Sequence, residues 1–417
     1  MNRARRVLLT GMWGIGFQLV TVMYQVLTVP LFLKYWGQSV YGDWLTVASL
    51  VAYLSLANLG MQSYVINLLT QRFVRGQWDE LDLEMPSTNL MYLLAMGLAL
   101  VLLGGICLVA PLDRLFEGDA VAWTGQLVTL ILGSRVVMML FSGLAQGYYK
   151  IQGRADLAKL THFFQQLSVL AVVFVVLLTG GGPVQLAGAE LGAVILLLCI
   201  MLFDTRHRDR RVSLFLGGAN TRLAITFLGP SMIYFFNQLA VGLIFQGVVL
   251  VVSFRLGAQA VVTFSTTRVL SGLVRQVISF ACSTMYPEIT RIEAGQPDRL
   301  AFTYRMLLKV VCVASFICIP ILFFAAPDLY LFWTRGRATL DLNLLRALLT
   351  DIWLVAPMTA SANLLFSTNK MEHIKSITKR NIVNGALAVV AIFLLLPPLG
   401  LWSAGAVMAV TNLIFLG

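Results

Sequence analysis

Two arginines lie inside an apolar stretch of the chain, where basic side chains are costly. Arg268 and Arg275 are seven residues apart within the apolar run 261–286. On a helix of 3.6 residues per turn this spacing leaves them about 20° from alignment and about 10 Å apart along the axis. Charged residues inside a membrane span nearly always face a bundle interior or a watery cavity. The pair therefore predicts a polar site on the inner face of a helix.

The charges near this pair do not balance. Arg135 is a third arginine within an apolar run, while Asp351 is the central carboxylate and Glu190 stands at the start of another run. Two roles stay open for Asp351: an ion pair with Arg268, because both lie in the outer part of the membrane, or ion coupling. The remaining positive charge favours an anionic ligand, and the planar guanidinium fork suits phosphate. Arg275, Arg268 and Arg135 are therefore the candidate substrate-binding cations.

A small set of amide side chains also lies within apolar runs. Four of them are candidates for the same substrate-binding cavity: Gln18, Gln25, Asn237 and Gln238. Two interpretations stay open for these amides, which are hydrogen bonding between helices and lining of a polar cavity.

The sequence lacks the motifs of several enzyme classes. It contains no GxxxxGK[ST] nucleotide-binding loop, no HExxH and no GxSxG, and its three histidines are scattered. All five cysteines fall in apolar runs without a CxxC pair, so neither disulfides nor zinc are predicted. We therefore expect a protein that is not an enzyme, with no catalytic residues, no metal and no cofactor.

The elements that carry these residues are long apolar helices. Hydrophobic residues make up 59% and charged residues 12% of the chain, against roughly 45–50% and 25% in soluble domains. Apolar runs of membrane-spanning length recur throughout, which predicts an all-α polytopic membrane protein with about twelve transmembrane helices. The predicted spans are 9–33, 45–68, 88–110, 126–147, 160–179, 187–203, 224–252, 261–286, 304–326, 345–367, 381–396 and 401–417.

The chain carries signs of an internal duplication. The segment 72–81 matches the segment 291–300 at an arginine, a glycine, a glutamine, an aspartate and a leucine. At an offset of about 220 residues, further matches are Gly37 with Gly257, Gln18 with Gln238, Lys150 with Lys370 and Lys159 with Lys379. Six spans per half return the chain to the same side, so the two six-helix repeats are predicted to be parallel and to flank a central cavity. The predicted domains are an N-lobe at 1–203, a basic linker at 204–223 and a C-lobe at 224–417.

Basic residues predict the orientation. Most of the 30 Lys and Arg residues fall in loops on the side of the N-terminus, which makes that side cytoplasmic. The basic block 206–211 reads as a topology anchor on the linker or as a contact for anionic lipid headgroups. The net charge of +11 is thus explained by topology, and no nucleic-acid partner is expected.

Three segments near the N-terminus resemble a known family. They are Trp36-Gly-Gln-Ser-Val-Tyr-Gly-Asp-Trp-Leu45, Tyr53-Leu-Ser-Leu-Ala-Asn-Leu-Gly60 and Arg75-Gly-Gln77. Together they resemble polysaccharide (O-antigen, Wzx-like) flippases of the multidrug/oligosaccharidyl-lipid/polysaccharide exporter superfamily. The sequence departs from that pattern at Asn58, where the family often has aspartate.

The resemblance implies a function. Such a protein would translocate an undecaprenyl-diphosphate-linked oligosaccharide across the bacterial inner membrane by alternating access, for O-antigen or other surface polysaccharide assembly. Its partners would be this lipid-linked oligosaccharide, membrane lipids and other polysaccharide-assembly proteins. The alternatives are a cation-coupled multidrug antiporter of the same superfamily, a flippase for a lipid-linked peptidoglycan precursor, and a membrane glycosyltransferase or polymerase.

Overall fold

The chain folds into long helices. The computed structural model describes residues 3–109, 122–295, 297–367 and 371–414, and every regular element in these ranges is helical. The α-helices are α1 (Arg3–Tyr35), α2 (Gly37–Ala52), α3 (Met61–Arg75), α4 (Trp78–Val109), α5 (Ala122–Ile151), α6 (Ala155–Leu178), α7 (Pro183–Arg208), α8 (Thr221–Thr226), α9 (Leu228–Gly242), α10 (Val248–Gly295), α11 (Pro297–Thr334), α12 (Leu342–Ser367), α13 (Met371–Leu399) and α14 (Trp402–Ile414). A 3₁₀ segment, Tyr53–Asn58, follows α2. A π-helical segment of 5 residues, Leu243–Gly247, joins α9 to α10 and is called the π-turn below.

The helices confirm a polytopic membrane protein. Ten described helical stretches are long and apolar enough to span a membrane. One of them, Leu228–Ser279, has 52 residues, about 78 Å at 1.5 Å per residue and more than twice a hydrocarbon core of about 30 Å. Gly257, with φ 79° and ψ −177°, interrupts this stretch, which therefore holds two spans. With the shorter apolar helix Trp402–Ile414, every predicted span has a helical counterpart.

The second span was predicted as one uninterrupted run over 45–68, and the structure differs from this. Its helix begins at Gly37, and the chain turns at Leu59 and Gly60, whose φ angles are 49° and 70°. A Cβ on Gly60 would overlap the backbone carbonyl of Ser231, so the position needs glycine for space as well as for conformation. Buried Asn58 accepts hydrogen bonds at Oδ1 from the Tyr92 hydroxyl and the Gln62 backbone N–H, both at 3.1 Å. The residues of the family-like motif thus build a break in the span.

Two compact units make up the described chain. The first comprises 1–36 and 47–238, and the second comprises 37–46 and 239–417. In the first unit α1 packs on α6 and α5 packs on α7, around a core that includes Leu69, Tyr92 and Tyr148. In the second unit α10 packs on α11 and α12, and α12 packs on α14, around a core that includes Val248, Phe264 and Leu348.

The start of α2 is held tightly within the second unit. A Cβ on Gly42 would overlap the backbone carbonyl of Ala258, so α2 and α10 approach at backbone distance. The Gln38 side chain donates a hydrogen bond to the carbonyl of Arg337 at 2.6 Å. In the Trp36–Leu45 motif, Gly42 therefore allows close packing and Gln38 provides a hydrogen bond.

Backbone geometry repeats at the offset found in the sequence. Gly37 and Gly257 have φ angles of 72° and 79°, and Gly180 and Gly400 have 76° and 80°. The members of each pair lie 220 residues apart, in a conformation that favours glycine. The helix pairing matches too. In the first half α1 packs on α6 and α5 packs on α7; at the corresponding places in the second half the π-turn packs on α13 and α12 packs on α14. The side chains of 291–300 and all of Lys370 lie outside the described residues.

The basic segment after α7 is attached to the first unit. The Arg211 guanidinium lies over the Trp78 ring at 5.6 Å, and within the end of α7 Arg208 pairs with Asp204 at 2.6 Å. The Asn89 amide donates hydrogen bonds to the carbonyls of Ser213 and Phe215, both at 3.0 Å. A role of 204–223 as the linker between moving lobes stays a prediction.

Candidate functional site

Arg268 and Arg275 approach the same aromatic ring in the second unit. The Cζ atoms of the two guanidinium groups lie 5.9 Å and 5.2 Å from the ring centroid of Phe245, and Arg268 also lies 5.2 Å from that of Phe264. The seven-residue spacing on α10 brings both side chains to one face, as the sequence predicts. Cation–π contacts stabilise guanidinium groups where water is scarce, by about 0.5–2 kcal/mol each.

The π-turn provides the backbone partner of Arg268. Its residues Leu243–Gly247 follow α9 without a break in the chain, and the carbonyl of Phe245 accepts a hydrogen bond from Nη1 of Arg268 at 2.6 Å. A π-turn shifts the hydrogen-bond register of a helix and is frequent at functional sites. Phe245 thus contributes its carbonyl to Arg268 and its ring to both arginines.

Asp351 pairs with Arg275, and the expected pair with Arg268 is wrong. Nη2 of Arg275 donates to Oδ2 of Asp351 at 3.1 Å, and the Asp351 side chain is only 4% exposed. The other carboxylate oxygen accepts from the Asn412 amide at 2.6 Å, whose own oxygen accepts from the Asn384 amide at 2.6 Å. The network therefore joins α10, α12, α14 and α13.

Arg268 keeps its positive charge uncompensated. No carboxylate among the described residues lies within ion-pair distance of it, although Arg275 is close enough to repel it electrostatically. Arg275 itself is paired, yet 40% of its side chain is exposed. The surplus cation expected from the sequence is therefore at Arg268, with a second guanidinium beside it, and this pair suits an oxyanion.

Arg135 belongs to a different unit and has its own partner. Its Nε lies 3.2 Å from Oε2 of Glu190, which is 2% exposed, without hydrogen-bond alignment between the two atoms. Tyr24 on α1 interacts electrostatically with both groups. The pair links α5 to α7 and neutralises Arg135, so Arg135 does not contribute to the uncompensated positive charge that the sequence predicts.

The four amide candidates are half-buried in the first unit: Gln18, Gln25, Asn237 and Gln238. Gln18, Gln25 and Asn237 each have an interaction partner within the chain. Cavity lining by these amides therefore stays a prediction.

Sequence reasoning missed two asparagines and one phenylalanine of the site. Asn384 and Asn412 hold the Asp351 network, and their signal was the same as that of the candidate glutamines, a polar side chain in an apolar span. Phe245 had no such signal, because an aromatic residue in a span is ordinary.

The described residues offer no candidate metal centre, since no group of three or more His, Cys, Asp or Glu side chains meets there. The arrangement around Arg268 and Arg275 can bind and orient an anion, with the Phe245 ring against both guanidinium groups and the Phe264 ring against that of Arg268.

Comparison of sequences finds neither a matching family model nor a matching curated protein. Comparison of structures finds clear similarity. A multidrug resistance MATE family transporter of the MOP superfamily matches in its outward-facing conformation with a TM-score of 0.67, 17% identity, and 99% of this chain and 92% of the transporter covered. Its inward-facing conformation matches with a TM-score of 0.67, 16% identity, and coverage of 98% and 91%. The lipid II flippase MurJ, in an inward closed conformation, matches with a TM-score of 0.73, 10% identity, and coverage of 98% and 86%. The chain therefore has the fold that MATE transporters and MurJ share.

Proposed function

We propose that this protein is an alternating-access flippase, which moves a polyprenyl-diphosphate-linked oligosaccharide between the leaflets of a membrane. The observation that carries the proposal is the uncompensated Arg268 beside Arg275 on one ring of the second unit. A diphosphate offers several anionic oxygens to two guanidinium groups, and bidentate contacts of this kind are strong in a site of low dielectric constant.

The fold supports transport over catalysis. Proteins with this fold include a multidrug transporter found in outward-facing and inward-facing conformations and a flippase for lipid II. Two similar helical repeats are a common architecture for alternating access, since one half can rock against the other. The repeated glycine geometry of this chain fits that architecture.

The finer parts of the proposal come from the sequence. An undecaprenyl-diphosphate carrier, surface polysaccharide assembly and a bacterial inner membrane follow from the resemblance to Wzx-like flippases. A cytoplasmic N-terminus follows from the basic loops. In this proposal Arg268 and Arg275 contact the diphosphate, while Arg135 stabilises the first unit through Glu190.

A cation-coupled multidrug antiporter is the second candidate. The observation that favours it is a buried carboxylate, Asp351, in a fold that multidrug transporters share. Against it, Arg275 and Asn412 already occupy both oxygens of this carboxylate, and an uncompensated arginine repels a cationic drug.

Reconstituted protein distinguishes the two candidates. The purified chain is placed in liposomes with a fluorescent polyprenyl-diphosphate oligosaccharide, and a reductant that cannot cross the membrane bleaches the label in the outer leaflet. Flipping makes the whole label accessible, whereas protein-free liposomes protect about half. In parallel, ethidium is loaded into liposomes under a proton or sodium gradient. Dye extrusion without lipid transfer would support the antiporter, and a new glycosidic bond in either assay would indicate a transferase.

A further inference from the structure

The lysines that repeat between the two halves of the sequence have a special environment in the first unit. Lys150 is the penultimate residue of α5, and Lys159 lies one turn into α6, across the turn at Gln152–Arg154. Both side chains are exposed, and they are close enough to repel each other electrostatically. His162, one turn farther along α6, interacts with both lysines. No carboxylate among the described residues lies within ion-pair distance of either lysine.

Two buried amides lie one turn deeper in the same hairpin. Gln146 is 1% exposed and precedes Lys150 by four residues, which puts both on one face of α5. Its Nε2 donates to Oε1 of Gln165 on α6 at 3.3 Å. Gln165 is 7% exposed, and it follows His162 by three residues.

This amide pair leaves hydrogen-bonding capacity unused. Nε2 of Gln165 and Oε1 of Gln146 are buried and have no partner in the chain. If both amide groups are turned so that oxygen and nitrogen exchange places, Gln165 donates to Gln146 instead. The pair still has one nitrogen and one oxygen without a partner. Buried amide groups are normally satisfied, because an unpaired one costs about 1–3 kcal/mol. The spare donor lies in the same hairpin as two ammonium groups, a combination that complements an anionic oxygen.

The second half of the chain repeats the lysines without the two glutamines. At the offset of 220 residues, Lys150 and Lys159 correspond to Lys370 and Lys379, whereas Gln146, His162 and Gln165 correspond to Phe366, Ile382 and Gly385. Lysines that only fix topology need no polar residues beneath them. The amides therefore mark a feature that belongs to the first unit.

We propose that the α5–α6 hairpin binds the phosphate group of a lipid headgroup through Lys150, Lys159 and the spare amide donor of the Gln146–Gln165 pair. The position at the end of α5 and the start of α6 lies at the end of two predicted spans, where headgroups are found. This phosphate site is separate from Arg268 and Arg275, and it does not require that the protein transports the lipid.

Binding by the full chain in nanodiscs of phosphatidylcholine tests the site. The probes are farnesyl diphosphate, as a lipid diphosphate, phosphatidylglycerol, as an ordinary anionic lipid, and inorganic pyrophosphate, as a free anion, each followed by native mass spectrometry. We expect Lys159→Ala to weaken binding of the preferred probe about tenfold, the loss of one charge-assisted contact. The matched variant Lys379→Ala, whose half of the chain has no counterpart of the Gln146–Gln165 pair, should bind like the wild type.

A double variant tests the amides without leaving one of them unpaired. Gln146→Leu with Gln165→Leu removes both groups, keeps the lysines and should weaken the same probe at least severalfold. Preference for farnesyl diphosphate identifies a lipid-linked diphosphate, and preference for phosphatidylglycerol identifies a structural lipid; either result supports the site. Equal losses in Lys159→Ala and Lys379→Ala, full binding by the double-leucine variant, or binding of none of the probes would overturn it. Binding here without lipid transfer in liposomes would contradict the flippase function alone.

Discussion

Nη2 of Arg275 lies 3.1 Å from Oδ2 of Asp351, and this ion pair connects α10 to α12 in the second unit. The carboxylate is buried, while the guanidinium is partly exposed. A buried charge depends on its partner much more than an exposed one does, because removal of the partner leaves it desolvated and unpaired. Arg275 therefore has a structural role in addition to any contact with an anion.

The first prediction concerns this ion pair. Arg275→Ala should destabilise the protein by on the order of 3 kcal/mol, the lower end for a broken buried pair, because water reaches part of the site. Arg275→Leu combined with Asp351→Asn should regain most of the loss, since the introduced amide is uncharged and its oxygen can still accept from the Asn412 amide. The thermal unfolding midpoint in detergent measures both. A single Arg275→Ala variant as stable as the wild type would contradict the structural role.

The second prediction concerns the glycines of the family-like segments. Gly60→Ala should cost about 2–4 kcal/mol, the sum of a left-handed backbone and an overlap with the Ser231 carbonyl. Gly42→Ala should cost about 1–3 kcal/mol through its overlap with Ala258. Gly97→Ala is the control, because it lies in α4 with open space around it. The yield of monodisperse protein and its unfolding midpoint are the measurements; equal stability of all three variants would show that the close approaches are not needed.

The third prediction concerns Asn58. Asn58→Leu should destabilise the protein by about 2–3 kcal/mol, because the Tyr92 hydroxyl and the Gln62 backbone N–H lose their buried acceptor. Asn58→Asp retains an acceptor for both donors and should be the milder change. Protease resistance of the solubilised protein reports on the break between α2 and α3. The critical result is which variant is more destabilised. If Asn58→Leu is less destabilised than Asn58→Asp, the structural role of the Asn58 acceptor is contradicted.

The fourth prediction concerns orientation. In a background without its five native cysteines, Arg210→Cys should react only with a thiol reagent that enters the cytoplasm, whereas Arg337→Cys should react with an impermeant external reagent. The expectation rests on the excess of basic residues on the N-terminal side. Labelling of lysed cells provides the control for accessibility. Reaction of both cysteines from outside would contradict the topology.

The helices were predictable from the sequence because membrane spans have a strong signal. Apolar runs of about 20 residues satisfy their backbone groups only as helices, so length and composition suffice. The offset of about 220 residues also located a real feature, since Gly37 and Gly257 share an unusual backbone conformation. The break at Leu59 and Gly60 was not predicted, because hydropathy averages over the few residues that form a turn.

The partners of the charged residues were less predictable. Asp351 pairs with Arg275, although Arg268 lies only two turns away on the same face of α10. Which arginine pairs with Asp351 depends on how α12 is shifted along α10. Span boundaries taken from hydropathy do not fix that shift to within two helical turns. The π-turn that presents Phe245 was not predictable either, because its residues Leu243–Gly247 continue an apolar run.

The central claim is that Arg268 supplies the uncompensated positive charge for a diphosphate. Arg268 lies in the described second unit without a carboxylate partner, so its removal should leave no buried anion unpaired. Arg268→Ala should therefore keep most of its stability, and Arg268→Lys should retain part of the function, because lysine keeps the charge but loses the bidentate geometry.

Leaflet transfer of the fluorescent polyprenyl-diphosphate oligosaccharide in proteoliposomes, compared between wild type and Arg268→Ala at equal protein content, tests this claim most directly. We predict that the apparent affinity for the lipid falls about ten- to hundredfold, the effect of about 1.5–3 kcal/mol from lost charge-assisted contacts. The unfolding midpoint should stay close to that of the wild type. Transfer by Arg268→Ala with unchanged affinity would contradict the claim.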